Sequence, residues 1–199
     1  MSYYLDASKF IAKEESFIDH AIWDVNAYRI GYGSDTITLD NTGKFRKVVK
    51  GDKTTKELAT IDLARRIPKE FEAVLKKQIG AGYNKLNDCA KVALLSFVYN
   101  YGSIRSWHKN ILKFGKEGNN IELANAIVND TLNDNPNLSL NVRNALKNRR
   151  KRERDYILNC VIPANNNNSQ NLNSDPKKKN NSLGIIGKFS INFKHISIK

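Results

Sequence analysis

Glu14, Glu15 and Asp24 have the types and spacing for acid–base chemistry near the start of the chain. Breaking a glycosidic bond takes one carboxyl group that protonates the leaving oxygen. It takes a second that stabilises the positive charge developing on the sugar or positions the attacking water. Phe10, Ile11, Phe17 and Ile18 recur at helical spacing, and Asp6 or Ser8 offers a short oxygen to cap that helix. If the helix ran unbroken through residue 18, steps of about 100° would put Glu14 in mid-stripe and Glu15 at its edge. A carboxyl beside apolar side chains such as Phe17 and Ile18 suits the protonated role. The competing reading of two adjacent glutamates is a solvated helix end. Asp24 lies nine positions after Glu15 at the entry to a polar strand, a setting that suits the charged role.

The elements that must position these groups follow in order. Tyr28, Ile30 and Tyr32 alternate with Arg29, Gly31 and Gly33, which predicts a strand. Ile37 and Leu39 lead to an Asp40–Gly43 turn, and Phe45, Val48 and Val49 make another strand. A small antiparallel sheet of two or three strands is marginal alone and must lean on helices. Thr54 and Thr55 can cap a helix whose stripe runs through Leu58, Ile61, Leu63 and Ile67. Pro68 interrupts it and opens a second segment that stops at Gly80-Ala81-Gly82. Leu86 to Gly102 is apolar nearly all round, which predicts a buried central helix. Further helices are expected near 105–114, 120–132 and 139–159, with Gly115, Gly118 and Pro136 between them.

Composition narrows the classes. The chain has 199 residues, 40% of them hydrophobic, enough for one core. No apolar run is long enough for a membrane-spanning helix, and the first residues lack the basic and apolar regions of a signal peptide. Synthesis in the cytoplasm without a recognisable signal peptide is the expectation. Cys89 and Cys160 make no disulfide framework, and Cys89 reads as a small buried hydrophobe. His20, His108 and His195 have no metal-ligand spacing, so neither metal nor cofactor is expected.

The net charge is +13; six lysines and one aspartate give residues 160–199 a charge of +5, which leaves +8 on the rest. Both parts suit a polyanionic partner: nucleic acid, a membrane surface or an anionic cell wall. Arg149 to Arg154 is the run a nucleic-acid reading would use, with Lys177-Lys178-Lys179 behind it; a solvated helix face is the other reading. From residue 163 the chain is rich in asparagine and lysine and reads as a flexible basic tail, leaving 1–162 as one domain.

The stretch Glu15-Ser16-Phe17, Trp23-Asp24 and Tyr28-Arg29-Ile30-Gly31-Tyr32-Gly33 resembles the active-site segment of the phage-type lysozymes, the muramidases of glycoside hydrolase family 24. Ala93 to Gly102 is similar to that family's central helix ending in Asn-x-Gly, and Asn144 to Glu153 to its Gly-Leu-x-x-Arg-Arg-x-x-Glu segment. The resemblance implies an α+β, mostly helical, two-lobed fold with a small antiparallel sheet. It also implies a monomer acting on bacterial peptidoglycan at the cell wall, without nucleic acid, cofactor or metal. By position it makes Glu15 the acid and Asp24 the second carboxylate, so the spacing selects Glu15 where an unbroken helical stripe would select Glu14. Tyr28, Arg29, Tyr32, Ser34 and Asn100 are the candidate substrate-binding residues, and Tyr99, Tyr101 and Trp107 are further aromatic candidates for a sugar cleft. The family's third residue is a water-holding Thr six positions after the Asp. Here that position is Ile30, or Arg29 when aligned on Gly-Tyr-Gly with the turn one residue shorter. Ser34 or Thr36 could supply the hydroxyl. If none does, the sugar's own hydroxyl attacks and the product is that of a lytic transglycosylase.

Overall fold

The computed structural model describes residues 3–132 and 136–161; the expected basic tail from residue 163 lies outside them. Helix α1 (Tyr3–Glu14) begins before the expected caps. Ser8 therefore sits inside the helix and donates to Leu5 O at 2.8 Å. The helix gives way to strand β1 (Ile18–Asp24), so Phe17 and Ile18 do not continue its stripe. Their apparent helical spacing comes from a strand that starts with the same apolar residues.

Strand β1 pairs antiparallel with β2 (Ala27–Gly31). Ile18 faces Gly31 and Ile22 faces Arg29, so four steps of β1 match two of β2. The bulge takes up two residue steps, about 7 Å of strand length. A second pair, β3 (Thr36–Thr38) with β4 (Phe45–Lys47), forms its own two-stranded sheet. Ile30, Ile37 and Val48 make the small core between the two pairs.

These strands lean on α2 (Lys56–Arg66), capped by Thr55, whose hydroxyl accepts from Leu58 N at 3.3 Å. Pro68 does not stop the chain there. It sits in a π-helical segment, Ile67–Glu72, that runs on into α3 (Ala73–Ile79). Without an N–H, proline cannot make the regular helical bond, and widening the turn accommodates it. Gly31 adopts φ +64°, and a Cβ there would stand 2.9 Å from Ala59 Cβ, so only glycine lets β2 approach α2.

The short α4 (Gly82–Lys85) precedes the central helix α5 (Asp88–Tyr101), capped by Asn87 and ended by Gly102 at φ +77°. Its residues Val92 to Val98 are all buried. Against it pack α1, α3, α7 (Asn120–Asn129) and α8 (Leu140–Val161), and α6 (Lys109–Glu117) packs on α7. Gly115 lies within α6 against Ile79 and not in a connection. Cys89, in the first turn of α5, is disulfide-bonded to Cys160 in the last turn of α8, with 6.4 Å between Cα atoms. Cys89 is therefore a cross-link, not a core hydrophobe. The sequence could not show this, because 71 residues separate the pair. No helix among the described residues is long and apolar enough to cross a membrane.

Candidate active site

Glu15 closes the last turn of α1, its N–H donating to Ile11 O at 3.0 Å. That turn aims its carboxylate at α8, where Arg149 Nη1 lies 2.7 Å from Glu15 Oε1. The guanidinium is itself fixed. Its Nη2 donates to Ser96 O at 3.1 Å and Ser96 Oγ at 3.2 Å, and its Nε reaches Glu153 Oε1 at 3.4 Å. Glu153 also accepts from Ser96 Oγ at 2.7 Å and from Arg150 Nη2 at 2.9 Å. Arg150 lies over the rings of Phe97 and Tyr101, at 4.7 and 5.1 Å, and reaches Asn100 Oδ1 at 3.4 Å.

The charges of this cluster sit inside the protein: Arg149 is 5% exposed, Arg150 1% and Glu153 0%. Burial pushes the Arg149 guanidinium down, but Glu15 and Glu153 outweigh it and hold it above its ordinary value. For Glu153 burial wins and pushes the carboxyl up, against the pull of Arg150, Arg149 and Ser96. A phosphate-contacting face and a solvated face both fail for Arg149 and Arg150, whereas Lys151 is exposed.

Glu14 and Glu15 also depart from the solvated helix end. Both oxygens of Glu14 are held by Arg152, at 2.7 and 2.6 Å, and its side chain is 6% exposed. Glu15 offers Oε1 to Arg149 with a side chain 12% exposed. The apolar setting expected for Glu15 is replaced by a guanidinium from a helix 134 residues away. Arg149 was legible in the basic run and in the segment that resembles the family's Arg-Arg-x-x-Glu, but not as the partner of Glu15; its spacing to Glu153, four residues on, pointed only to that pair.

Asp24 stands at the far end of β1, opposite Ala27. Between them Asn26 N donates to Asp24 O at 2.6 Å, and Val25 takes φ +53°. Arg29 Nε lies 3.9 Å from Asp24 Oδ2, and its Nη1 lies 4.0 Å from Asp35 Oδ1. Tyr28 faces Trp23 across the hairpin. Tyr32 is buried against Phe17, and its carbonyl accepts from the Tyr99 hydroxyl.

Ser34 and Thr36 turn away from this hairpin end. Ser34 Oγ donates to Asp62 Oδ2 at 2.7 Å, Thr36 Oγ1 to Asp62 Oδ1 and Oδ2 at 3.1 Å each, and Thr38 Oγ1 to Asp62 Oδ1 at 3.0 Å. Arg65 completes the set at 2.8 Å. Asp62 is 2% exposed, and the cavity beside it, lined by Gly31, Tyr32, Ser34 and Tyr99, is only about 10 Å³. That space suits one water, not a sugar. The predicted residues thus fall into three groups: Glu15 and Asn100 on the α5–α8 cluster, Asp24, Tyr28 and Arg29 at the hairpin end, and Tyr32 and Ser34 behind them.

Solved structures share this arrangement of helices and strands. An endolysin from Escherichia coli O157:H7 phage FAHEc1 is 28% identical, with a TM-score of 0.54, over 82% of this chain and 95% of that one. A mutant of P22 lysozyme (20% identical, TM-score 0.57) and the muramidase domain of SpmX from Asticaccaulis excentricus (21%, 0.53) each match 77% of this chain and 95% of their own. These two carry the fold alone. A search of the curated proteins finds no match. The family model described as phage lysozyme matches residues 12–153. With that match spanning the α1 end, both strand pairs and the Arg149–Glu153 cluster, the chain belongs to the phage lysozyme family, glycoside hydrolases that degrade peptidoglycan.

Proposed function

We propose that this protein cleaves the β-1,4 bond between N-acetylmuramic acid and N-acetylglucosamine, with Glu15 as the proton donor and Asp24 as the anion. The observation that carries the assignment is the contrast between the two adjacent glutamates. Arg152 occupies both oxygens of Glu14, whereas Arg149 takes one oxygen of Glu15 and is shared with Glu153. Glu14 is held as an ion-pair partner. Glu15 keeps an oxygen for the glycosidic oxygen while Arg149 fixes the carboxyl plane. Asp24, half-buried beside Arg29, supplies negative charge toward the oxocarbenium-like sugar.

One observation favours a second product. The Ser34 and Thr36 hydroxyls are committed to Asp62, and the slot where the resemblance places the family's threonine holds Ile30 or Arg29, neither with a hydroxyl. With those two hydroxyls engaged, the muramic acid's own hydroxyl can close on the anomeric carbon in this reading. The products then carry anhydro ends in place of reducing ends. A monomeric state and independence of nucleic acid belong to the same reading, with residues 1–162 as its catalytic domain.

Purified protein clears a peptidoglycan suspension in this reading, Glu15→Gln loses about three or more orders of magnitude in rate, and Glu14→Gln keeps most of it. Activity surviving in Glu15→Gln and lost in Glu14→Gln would move the acid by one residue. Mass spectrometry of the fragments separates reducing from anhydro ends.

A further inference from the structure

We propose that the pocket between the β1–β2 hairpin and the β3–β4 pair is a glycan subsite, one that takes a sugar ring beyond the two flanking the cleaved bond. The proposal rests on the wall-cleaving function above and adds a specificity-determining surface to it.

Trp23 is 62% exposed at the hairpin end. It faces Tyr28 in register, with ring centroids 5.1 Å apart and planes at 75°. An edge-on partner holds a large aromatic side chain in place while leaving the rest of its surface to solvent. Scattered exposed apolar residues are ordinary. Here, however, the tryptophan borders an open pocket of about 440 Å³ whose other walls include Asn26, Arg29, Asp35 and Lys47. Ligand pockets fall in the range of about 300–1,000 Å³.

The chemistry of these walls selects the ligand. Lys47 Nζ lies 2.6 Å from Asp35 Oδ2, and Arg29 lies between Asp35 and Asp24. The walls thus carry two cations and one carboxylate, with Asp24 just beyond them, so both cations lie within 4.0 Å of a carboxylate and the walls are polar rather than strongly charged. They offer donors and acceptors in quantity. A pyranose ring presents an apolar C–H face and a rim of hydroxyls, each both donor and acceptor. The C–H face fits on Trp23, and the rim meets Arg29, Asp35, Lys47 and Asn26. The Lys47–Asp35 pair is exposed on the lysine side (77%), so exchanging part of it for sugar hydroxyls costs little. Arg29 touches both the pocket and Asp24, which makes the subsite continuous with the proposed cleavage point.

The test uses the full chain and peptide-free glycan strands of defined length. In the wild type KM falls once strands are long enough to reach the pocket. Trp23→Ala raises KM on long strands about tenfold, the equivalent of one lost anchor, and leaves short strands unaffected. Trp23→Phe restores part of the loss, and unchanged melting temperatures exclude a folding effect. An unchanged length dependence of KM in Trp23→Ala overturns the subsite. Should the wild type cleave nothing, the cleavage reading fails, and a fluorescence titration decides the subsite separately. Strands quench a component of the emission that Trp23→Phe removes, or the subsite is wrong.

Discussion

Arg149 on α8 and Glu15 at the end of α1 meet at 2.7 Å, so the proposed acid is oriented by the last helix of the domain. The same guanidinium holds Ser96 and the buried Glu153, which makes it the joint between α1, α5 and α8. Removing it leaves Glu153 without one of its cations in a site with no water access. Arg149→Ala is expected to cost about 3–5 kcal/mol, the usual range for breaking a buried ion pair, measured by denaturant unfolding. Arg149→Lys tests geometry: an ammonium cannot serve Glu15, Ser96 and Glu153 together. It should retain more stability than alanine while still lowering kcat, read on wall suspensions under conditions where the protein stays folded.

The Cys89–Cys160 disulfide joins the start of α5 to the end of α8 and closes a long loop. Cross-links of this kind stabilise chiefly by restricting the unfolded chain, by about 2–4 kcal/mol. Adding reductant to the wild type should lower the unfolding free energy by that amount, and Cys160→Ser should show the lower value without reductant. An equal response to reductant in Cys160→Ser would mean that the cross-link is not the source.

How far the sequence could be read depended on the range of the interactions. The central helix was legible because Val92 to Val98, Ser96 excepted, are apolar on every side, a local pattern that points to burial. The Thr55 cap, the Gly102 stop and the α7 and α8 spans were local in the same sense. Strand β1 was not legible, because its bulge breaks the period-two alternation that announces a strand. Glu15 and Asp24 could be singled out by spacing, but their surroundings could not. The guanidinium at Glu15 arrives from α8, and the Ser34 and Thr36 hydroxyls are taken by Asp62 on α2. Asp62 could have been suspected, since it lies beside Ile61 and Leu63 in an apolar helical stretch and must find buried partners there.

Acid should loosen the strand region by a defined route. Arg46 holds Asp52 with two hydrogen bonds of 2.7 Å, and Asp52 also accepts from Val49 N at 2.9 Å. The Arg46 contact keeps the Asp52 carboxyl below the usual carboxylate range. A carboxyl lowered in the folded state adds stability above its unfolded value, about 3.9, and loses it as pH falls through the folded value. Melting temperature should therefore drop with pH below about 4 more steeply in the wild type than in Arg46→Ala. Above that range the two slopes should agree.

Val25 is the one non-glycine residue among those described with a positive φ, at +53°. The N–H of Asn26 reaches back to Asp24 O, so the hairpin is closed by a three-residue turn centred on Val25. A β-branched side chain is poorly suited to this region, and such positions cost of the order of 1–3 kcal/mol. The tight loop, with Asp24 paired to Ala27 across Val25 and Asn26, stands directly beside the proposed anion. Val25→Gly removes the Cβ clash but makes the unfolded chain more flexible, which offsets part of the gain. The net expectation is a stabilisation of about 1 kcal/mol, or about 2–4 °C in melting temperature for a chain of this size. Val25→Asn should stabilise for the same reason, since asparagine tolerates positive φ without glycine's added freedom. If the strained turn also fixes Asp24 against the substrate, Val25→Gly gains stability and loses kcat at unchanged KM, whereas a turn that serves folding alone leaves both kinetic constants where they were.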